Sequence, residues 1–427
     1  LLIAFPKISF SKNYYFSSSS GNDSYSATQA QNPATPWKTI EKLNNSMSLF
    51  NPGDSILFKR GEEFTGQIIL TRSGTSVARL VISAYGTGKE PVIKGTMLIT
   101  GWTQYQGNIW VADCPKLSST PTNFFINGKS QQIGRYPNAD APNKGYLNID
   151  SHIGTTSLTN SSLSSMPDWI GGEAVVRSSR WILDRVPIKS QRGGTLVFSS
   201  PTTYEIQNNY GFFIQNHLNT LDSHGEWYFN STTKKIYLFS TIDPNTLITE
   251  VPAFNSVFSS ESQKYYKIEN IQFTGSIDKT LTINNSEYIE IKNTTISGSG
   301  IDAVSFAGCT NIIFSYNNIL NTNNNAVIFY LCNSVRSERN KIKNAGVRPG
   351  MGLSQTGQYS GMILKGNNNQ CKSNIIDSVG YVGLLFDGSY VRIINNMISN
   401  FCITLDDGGG IYTWSDGKSI CDDRQIE

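Results

Sequence analysis

Charge is scarce in this chain. Only 16% of its 427 residues are Asp, Glu, Lys or Arg, against roughly a quarter in an average soluble domain. The 35 basic and 32 acidic residues nearly cancel, leaving +3. A nucleic-acid binder usually carries a strongly basic face, so nucleic acid is not expected as a partner. Histidine is scarcer still. His152, His217 and His224 are the only three, too few to suggest a histidine metal cluster or a His-based triad. The six cysteines (Cys114, Cys309, Cys332, Cys371, Cys402 and Cys421) form no CxxC, which removes zinc ribbons and dithiol redox motifs. No apolar run approaches the ~18 residues of a membrane-spanning helix. Sustained amphipathic heptads are missing, which disfavours a helical bundle. No strand leads into a phosphate-binding GK[ST] loop, and no serine nucleophile elbow occurs.

What is abundant is Gly, Ser, Asn, Thr, Ile and Tyr, a composition of strands and turns. In the last third, apolar residues recur at Phe273, Ile296, Ile319, Ile342, Ile376 and Ile398, with spacings of 23, 23, 23, 34 and 22. The 34 is one repeat plus 11 residues, around Arg348-Pro349-Gly350-Met351-Gly352. Asn317, Asn340, Asn374 and Asn396 stand two residues before four of these positions. A second strand recurs in phase, at 303–306, 326–329, 361–364, 383–386 and 410–413. A helix-free period of this length suits one coil of a parallel β-helix, in which each strand pairs with its copy on the next coil. The asparagines are expected at the corners, tolerating left-handed backbone and stacking their amides along the axis. Cys309 and Cys332 lie one repeat apart and read as stacked buried thiols rather than a disulfide.

The expected fold is therefore all-β: a right-handed parallel β-helix with an N-terminal capping helix and an inserted antiparallel β module. Residues 1–13 read as the remnant of a secretory signal. Residues 14–99 form the N-terminal cap and first coils. Thr35 is expected to cap a helix opening with Pro36, with Ile40, Leu43, Met47 and Phe50 as its apolar stripe. Residues 100–255 break the rhythm, hold five of the seven tryptophans and carry the hairpin signal Ile126-Asn127-Gly128-Lys129. Residues 256–427 form the main coils, and the natural chain is expected to continue past Glu427.

The opening Asn32-Pro33-Ala34-Thr35-Pro36-Trp37-Lys38-Thr39-Ile40, followed by Pro52-Gly53-Asp54-Ser55-Ile56, resembles the N-terminal text of secreted bacterial β-helix proteins of the pectate-lyase-like superfamily. Phe125-Ile126-Asn127-Gly128-Lys129, Arg135-Tyr136-Pro137-Asn138 and residues 221–228 resemble the β-sandwich inserted in some of them. Asp406-Asp407-Gly408-Gly409-Gly410-Ile411-Tyr412-Thr413-Trp414 is similar to a late-coil motif of β-helical glycoside hydrolases. The resemblance implies retaining or inverting hydrolysis by acidic residues.

Alternation along the second repeated strand sorts its faces. Val304, Val327, Met362, Leu384, Ile411 and their partners two residues on are expected inward. Ala307, Tyr330, Lys365, Asp387 and Trp414 are expected outward, one per coil, with coils about 4.8 Å apart. An aromatic-flanked, charged row suits a sugar site. From Gly383 to Gly410 the spacing is 27, so extra residues bulge out, carrying Asp406 and Asp407 before three glycines that let backbone approach a ligand. Asp387 with Asp407 is the first choice of catalytic pair, with Asp406 and Asp416 in reserve. Trp414, Tyr412, Lys365 and Tyr330 are the candidate substrate contacts. An ordinary solvated face with a Lys365–Asp387 ion pair, a calcium site on Asp406 and Asp407, or a simple Asp-Gly turn are the alternatives; no other cofactor is implied. Glu226, inside the inserted module, reads as structural. The expected function is hydrolysis of glycosidic bonds in a polysaccharide or oligosaccharide by a secreted, periplasmic or surface-bound monomer. The alternatives are a lyase with Lys365 or Arg392 as base, and a non-catalytic glycan-binding or adhesion solenoid.

Overall fold

The computed structural model describes residues 11–414 and 421–427. Residues 1–10, most of the expected signal remnant, and Asp416 lie outside them. Three parallel sheets of ten, eight and eight strands stack coil upon coil, which makes the chain a parallel β-helix. Each coil runs from the first sheet through the second to the third, as in Glu287–Lys292, Thr295–Ser297 and Val304–Ala307. The inferred column is continuous: Phe273, Ile296, Ile319, Ile342, Ile376 and Ile398 are register partners on successive coils. It extends upstream through Ile93 to Phe64, so the chain resumes the same solenoid after its long excursion. Both the 34-residue step and the 27-residue step keep register, because their extra residues loop out at the corner between the second and third sheets.

The core is one apolar column lined by all three sheets. Burying an Ile or Phe here removes it from water at about 1.5–3 kcal/mol per side chain, repeated on every coil. The asparagine ladder lies within this interior. Asn317 donates from both its backbone N and Nδ2 to Asn340 Oδ1 at 3.0 Å. Asn340 does the same to Asn374 at 2.9 Å, and Asn374 to Asn396 at 3.0 and 2.9 Å. The left-handed turn falls one residue earlier than expected, at Tyr316, Arg339, Ser373 and Asn395, with φ of 57°, 55°, 54° and 51°. That residue turns the corner, and the asparagine after it points its amide inward along the axis.

Two sequence expectations need correcting. The N-terminal helix is shorter, Ile40–Asn45, and its N-cap is Thr39, which accepts from Lys42 N. Trp37 is bridged to Phe16, which holds the backbone extended past Pro36 and delays the helix; the stripe Ile40, Leu43, Met47 and Phe50 is buried as expected. Ile411 was expected inside but is 38% exposed, because among the described residues Ile411–Tyr412 is the last strand of its sheet and no further coil covers it.

Between Thr96 and Pro252 the chain leaves the solenoid. The exit strand Thr96–Ile99 pairs antiparallel with the return strand Thr249–Pro252. Within this module Phe125 and Ile126 pair with Ser130 and Lys129 across a two-residue turn, where Asn127 and Gly128 have φ of 50° and 73°, the doubly positive geometry an Asn-Gly hairpin favours. The module has two apolar cores, one of which also takes in Met351 of the solenoid's first bulge. A further buried cluster, Val175, Leu183, Phe213, Tyr359 and Leu405, joins it to the solenoid. Cys309, Cys332 and Cys371 are buried thiols without disulfides.

Candidate active site

The module lies against the corner between the second and third sheets, where the two bulges emerge. The first bulge is pinned by polar contacts to the module. Arg185 Nη1 donates to Gly352 O at 3.1 Å, Gln215 Nε2 to Gly350 O at 2.9 Å, and Gln358 Nε2 to Leu183 O at 2.9 Å. Arg185 and Gln215 share the Glu173 carboxylate, each at 2.9 Å. Only glycine fits at 350: φ is 80°, and a Cβ would come within 2.3 Å of Gln215 Oε1. The second bulge carries Asp406 and Asp407. Asp406 N donates to Arg180 O at 2.9 Å, and Arg177 Nη2 to Thr404 O at 2.6 Å. The acid pair is thus held by the module as well as by its own coil.

A groove runs between the two walls. Its largest chamber, about 830 Å³, is bounded by Arg135, Tyr146, Arg177 and Tyr210 of the module and by Thr404 and Asp406 of the solenoid. Arg135 also borders a second chamber of about 420 Å³. Val347 also borders a third of about 470 Å³. The second and third chambers share Ser130 and Arg348, so the three adjoin one another along the seam between module and solenoid.

Asp406 lines the largest chamber with Arg177 Nη1 3.5 Å from its carboxylate. Asp407 follows with φ of 64°, and its carbonyl accepts from the Tyr381 hydroxyl at 3.1 Å. Gly408 lets this turn pack: a Cβ there would meet the Tyr381 ring at 2.7 Å. Across the chamber, the Tyr146 hydroxyl is buried beside the Arg177 guanidinium. Burial raises its pKa, against the lowering effect of the Arg177 and Arg135 cations. Arg135 lies 3.6 Å over the Phe213 ring and donates to Gly145 O and Pro137 O at 2.6 and 3.0 Å. Burial lowers its pKa to about 10, against the opposing pull of Tyr146 and Glu226. Burial pushes Glu226 up to about 7, although the backbone N–H groups of Asp222, Ser223 and Arg135 donate to it. With its oxygens committed to backbone, Glu226 organises a loop.

The other candidates lie elsewhere. Asp387 is at the downstream end of its strand, three residues past Leu384, whose partner is Ile411. Asp407 is four residues before Ile411, beside Tyr381 at the upstream end. At about 3.3 Å per residue, the strand's length separates the two carboxylates, so the structure does not bring this pair together. Asp387 instead accepts from Arg424 Nη2 at 2.7 Å. Lys365 is its register partner on the preceding coil. Tyr330 pairs with Ala307, two coils from Asp387 in the same sheet. Tyr412 pairs with Leu385. Trp414 follows the last strand, 63% exposed. The outward row exists from Tyr330 to Asp387, but at the far end of the sheet from the groove. Among the described residues no group of three or more His, Cys, Asp or Glu side chains is placed to hold a metal ion.

Sequence reasoning passed over Arg177, Tyr146 and Arg135. Arg177 had a signal: it interrupts the apolar run Ala174-Val175-Val176 within the strand Glu173–Ser179. Arg135 stood in a segment noted only for its resemblance to an inserted β-sandwich, and Tyr146 had no signal, because nothing in a linear reading places the module's wall against Asp406.

No protein-family model matches the chain. Over 102 residues it is 34% identical to the lacto-N-biosidase of Bifidobacterium longum subsp. longum; the match takes in 22% of this chain and only 6% of that much longer protein. Among solved structures, one described as a glycoside hydrolase superposes with a TM-score of 0.59 at 13% identity, covering 93% of this chain and 98% of that one. The fold is shared from end to end. XylC, solved in complex with xylose, gives a TM-score of 0.56 at 15% identity, covering 94% of this chain and 65% of its own. At these identities the likeness shows the fold alone: a β-helix bearing a module, as in the resemblance noted from sequence.

Proposed function

We propose that the chain hydrolyses glycosidic bonds of a polysaccharide or oligosaccharide, with the cleavage point in the chamber beside Asp406 and Asp407. The observation that carries this reading is the placement of Asp406 in the lining of the largest chamber, beside Arg177, with a second acid, Asp407, next to it in the chain. Glycoside hydrolysis needs a pair of carboxyl groups, about 5–5.5 Å apart for retention or about 6.5–9.5 Å for inversion. Asp406 lines the chamber, and Asp407, the next residue of the same bulge, is assigned as the second carboxyl group. Asp406, beside Arg177, is the nucleophile or base, and Asp407 is its partner. Tyr146 and Arg177 form the wall of the chamber that faces Asp406. The solved glycoside hydrolase with this fold, and the lacto-N-biosidase match, support hydrolysis over other glycan chemistry.

A lyase reading has less support. Its candidate bases are off the groove: Lys365 is at the far end of the third sheet, and Arg392 of the first sheet is tied to Asp423 at 2.8 Å. No helix among the described residues is long and apolar enough to cross a membrane. A secreted or periplasmic monomer acting on extracellular glycan fits the reading. The test is release of reducing ends from a panel of oligosaccharides. Asp406→Asn and Asp407→Asn should each lower turnover by about 100-fold or more while circular dichroism stays that of the wild type. Full activity in either variant rejects its assignment, and binding without turnover across the panel rejects hydrolysis.

A further inference from the structure

One chamber of the groove is positively charged with no acid lining it. The chamber of about 470 Å³ includes Lys129 and Arg348 in its lining but no Asp or Glu. The two cations come from opposite walls: Lys129 from the module's tight hairpin, Arg348 from the bulge inserted into the solenoid. Arg348, like Arg135, has no carboxylate partner, unlike two other arginines of this interface. Arg177 has Asp406 and Arg185 has Glu173. Arg348 donates only to neutral groups: Gln131 O at 3.0 Å, Ser130 Oγ at 2.7 Å and Asn323 Oδ1. A guanidinium carries five N–H donors, so two are left over. Burial alone lowers its pKa, to about 10, with no carboxylate raising it. A desolvated cation held by neutral acceptors is unfavourable unless something completes it.

The chamber floor is laid out for sugar hydroxyls. Ser297 Oγ bonds Thr274 Oγ1 at 3.2 Å, and Asn344 Nδ2 donates to Asn321 Oδ1 at 3.0 Å. These four residues present hydroxyl and amide groups on successive coils, about 4.8 Å apart. We propose that this chamber is a subsite for an anionic sugar residue, a uronate or a sulfated sugar, whose negative group bridges Arg348 and Lys129. The planar guanidinium offers paired donors to a carboxylate or sulfate, and the hairpin lysine adds a point charge from the other wall. This inference rests on the reading that the groove holds a glycan, and it names the class of glycan.

Three probes with one backbone test it on the full chain: cellotriose, its C6-oxidised uronate form and its 6-sulfate, titrated calorimetrically. The two anionic forms, or one of them, should bind at least tenfold more tightly than the neutral one, with the advantage shrinking as salt rises. A stronger carboxylate arm identifies a uronate, a stronger sulfate arm a sulfated sugar. Lys129→Met, an exposed change that leaves the buried contacts alone, should cut the preference several-fold. Arg348→Met should abolish it. Equal affinity for all three probes overturns the proposal, as does an undiminished preference in Lys129→Met. Asp406→Asn should keep the preference. Anionic probes that bind while no glycan is cleaved would sink the hydrolase reading and leave this subsite standing. Cleavage of neutral glycans with no charge preference would sink the subsite alone.

Discussion

Removing one amide from the middle of the asparagine ladder should destabilise the solenoid out of proportion to the atoms lost. Asn340 is fully buried. Its Oδ1 accepts from Asn317 N and Nδ2 at 3.0 Å, and its Nδ2 donates to Phe314 O and Asn374 Oδ1 at 2.9 Å. In Asn340→Ala the Asn317 N–H and the Phe314 carbonyl are left inside the core without these partners. Each orphaned buried group costs about 1–3 kcal/mol, so the loss should be roughly 3–5 kcal/mol, allowing for partial relaxation. The control is Asn344→Ala. Asn344 makes the same kind of bond to the preceding coil, at 3.0 Å to Asn321 Oδ1, but at the exposed surface, and a change there should stay within about 0.5 kcal/mol. Urea unfolding followed by far-ultraviolet circular dichroism reports on the solenoid, since five of the seven tryptophans would weight fluorescence toward the module. The midpoint of Asn340→Ala should fall while the slope stays constant. Equal midpoints for the two variants would refute the view that the ladder is a structural element of the core.

Three further outcomes follow from other parts of the molecule. Arg177→Met should lower turnover by about a hundredfold with little change in folding, read from kcat on whichever oligosaccharide is cleaved. Arg185→Met should destabilise by about 3 kcal/mol by leaving the Glu173 carboxylate uncompensated; the double variant with Glu173→Met should recover most of it, measured by thermal unfolding. Glu62 makes the N-terminal coils acid-sensitive. Burial opposes its charge, but Ser19, Ser17 and Lys59 hold its pKa down, from 4.5 to about 2. A folded-state pKa below the unfolded one gives stability that is present above pH 4.5 and lost as pH falls toward 2, at most roughly 3 kcal/mol. Glu62→Gln should flatten that part of the stability–pH profile.

The register of the solenoid was legible in the sequence because a period of 23 and a two-residue alternation are both local and repeated. Each coil confirms the one before, so Ile319, Ile342 and Ile398 could be stacked from spacing alone. The step of 27 and the three glycines marked the Asp406–Asp407 bulge for the same reason: a bulge is a departure from a period. Alternation, however, says only which face of a sheet a residue takes, and not which end of the strand. Asp387 and Asp407 could therefore be paired on paper although a whole strand separates them. The opposite wall was hidden for a different reason. Arg177 and Tyr146 reach Asp406 from a module more than 200 residues upstream, and only the docking of that module, through Phe213, Tyr359 and Leu405, brings them together.

A crystal structure of the Asp406→Asn, Asp407→Asn double variant soaked with an oligosaccharide that the wild type cleaves tests the central claim most directly. Sugar rings should lie in the groove between module and solenoid, with the scissile linkage beside residues 406 and 407 and within reach of Arg177 and Tyr146. Rings bound instead on the third sheet, along Tyr330, Lys365 and Asp387, would contradict it.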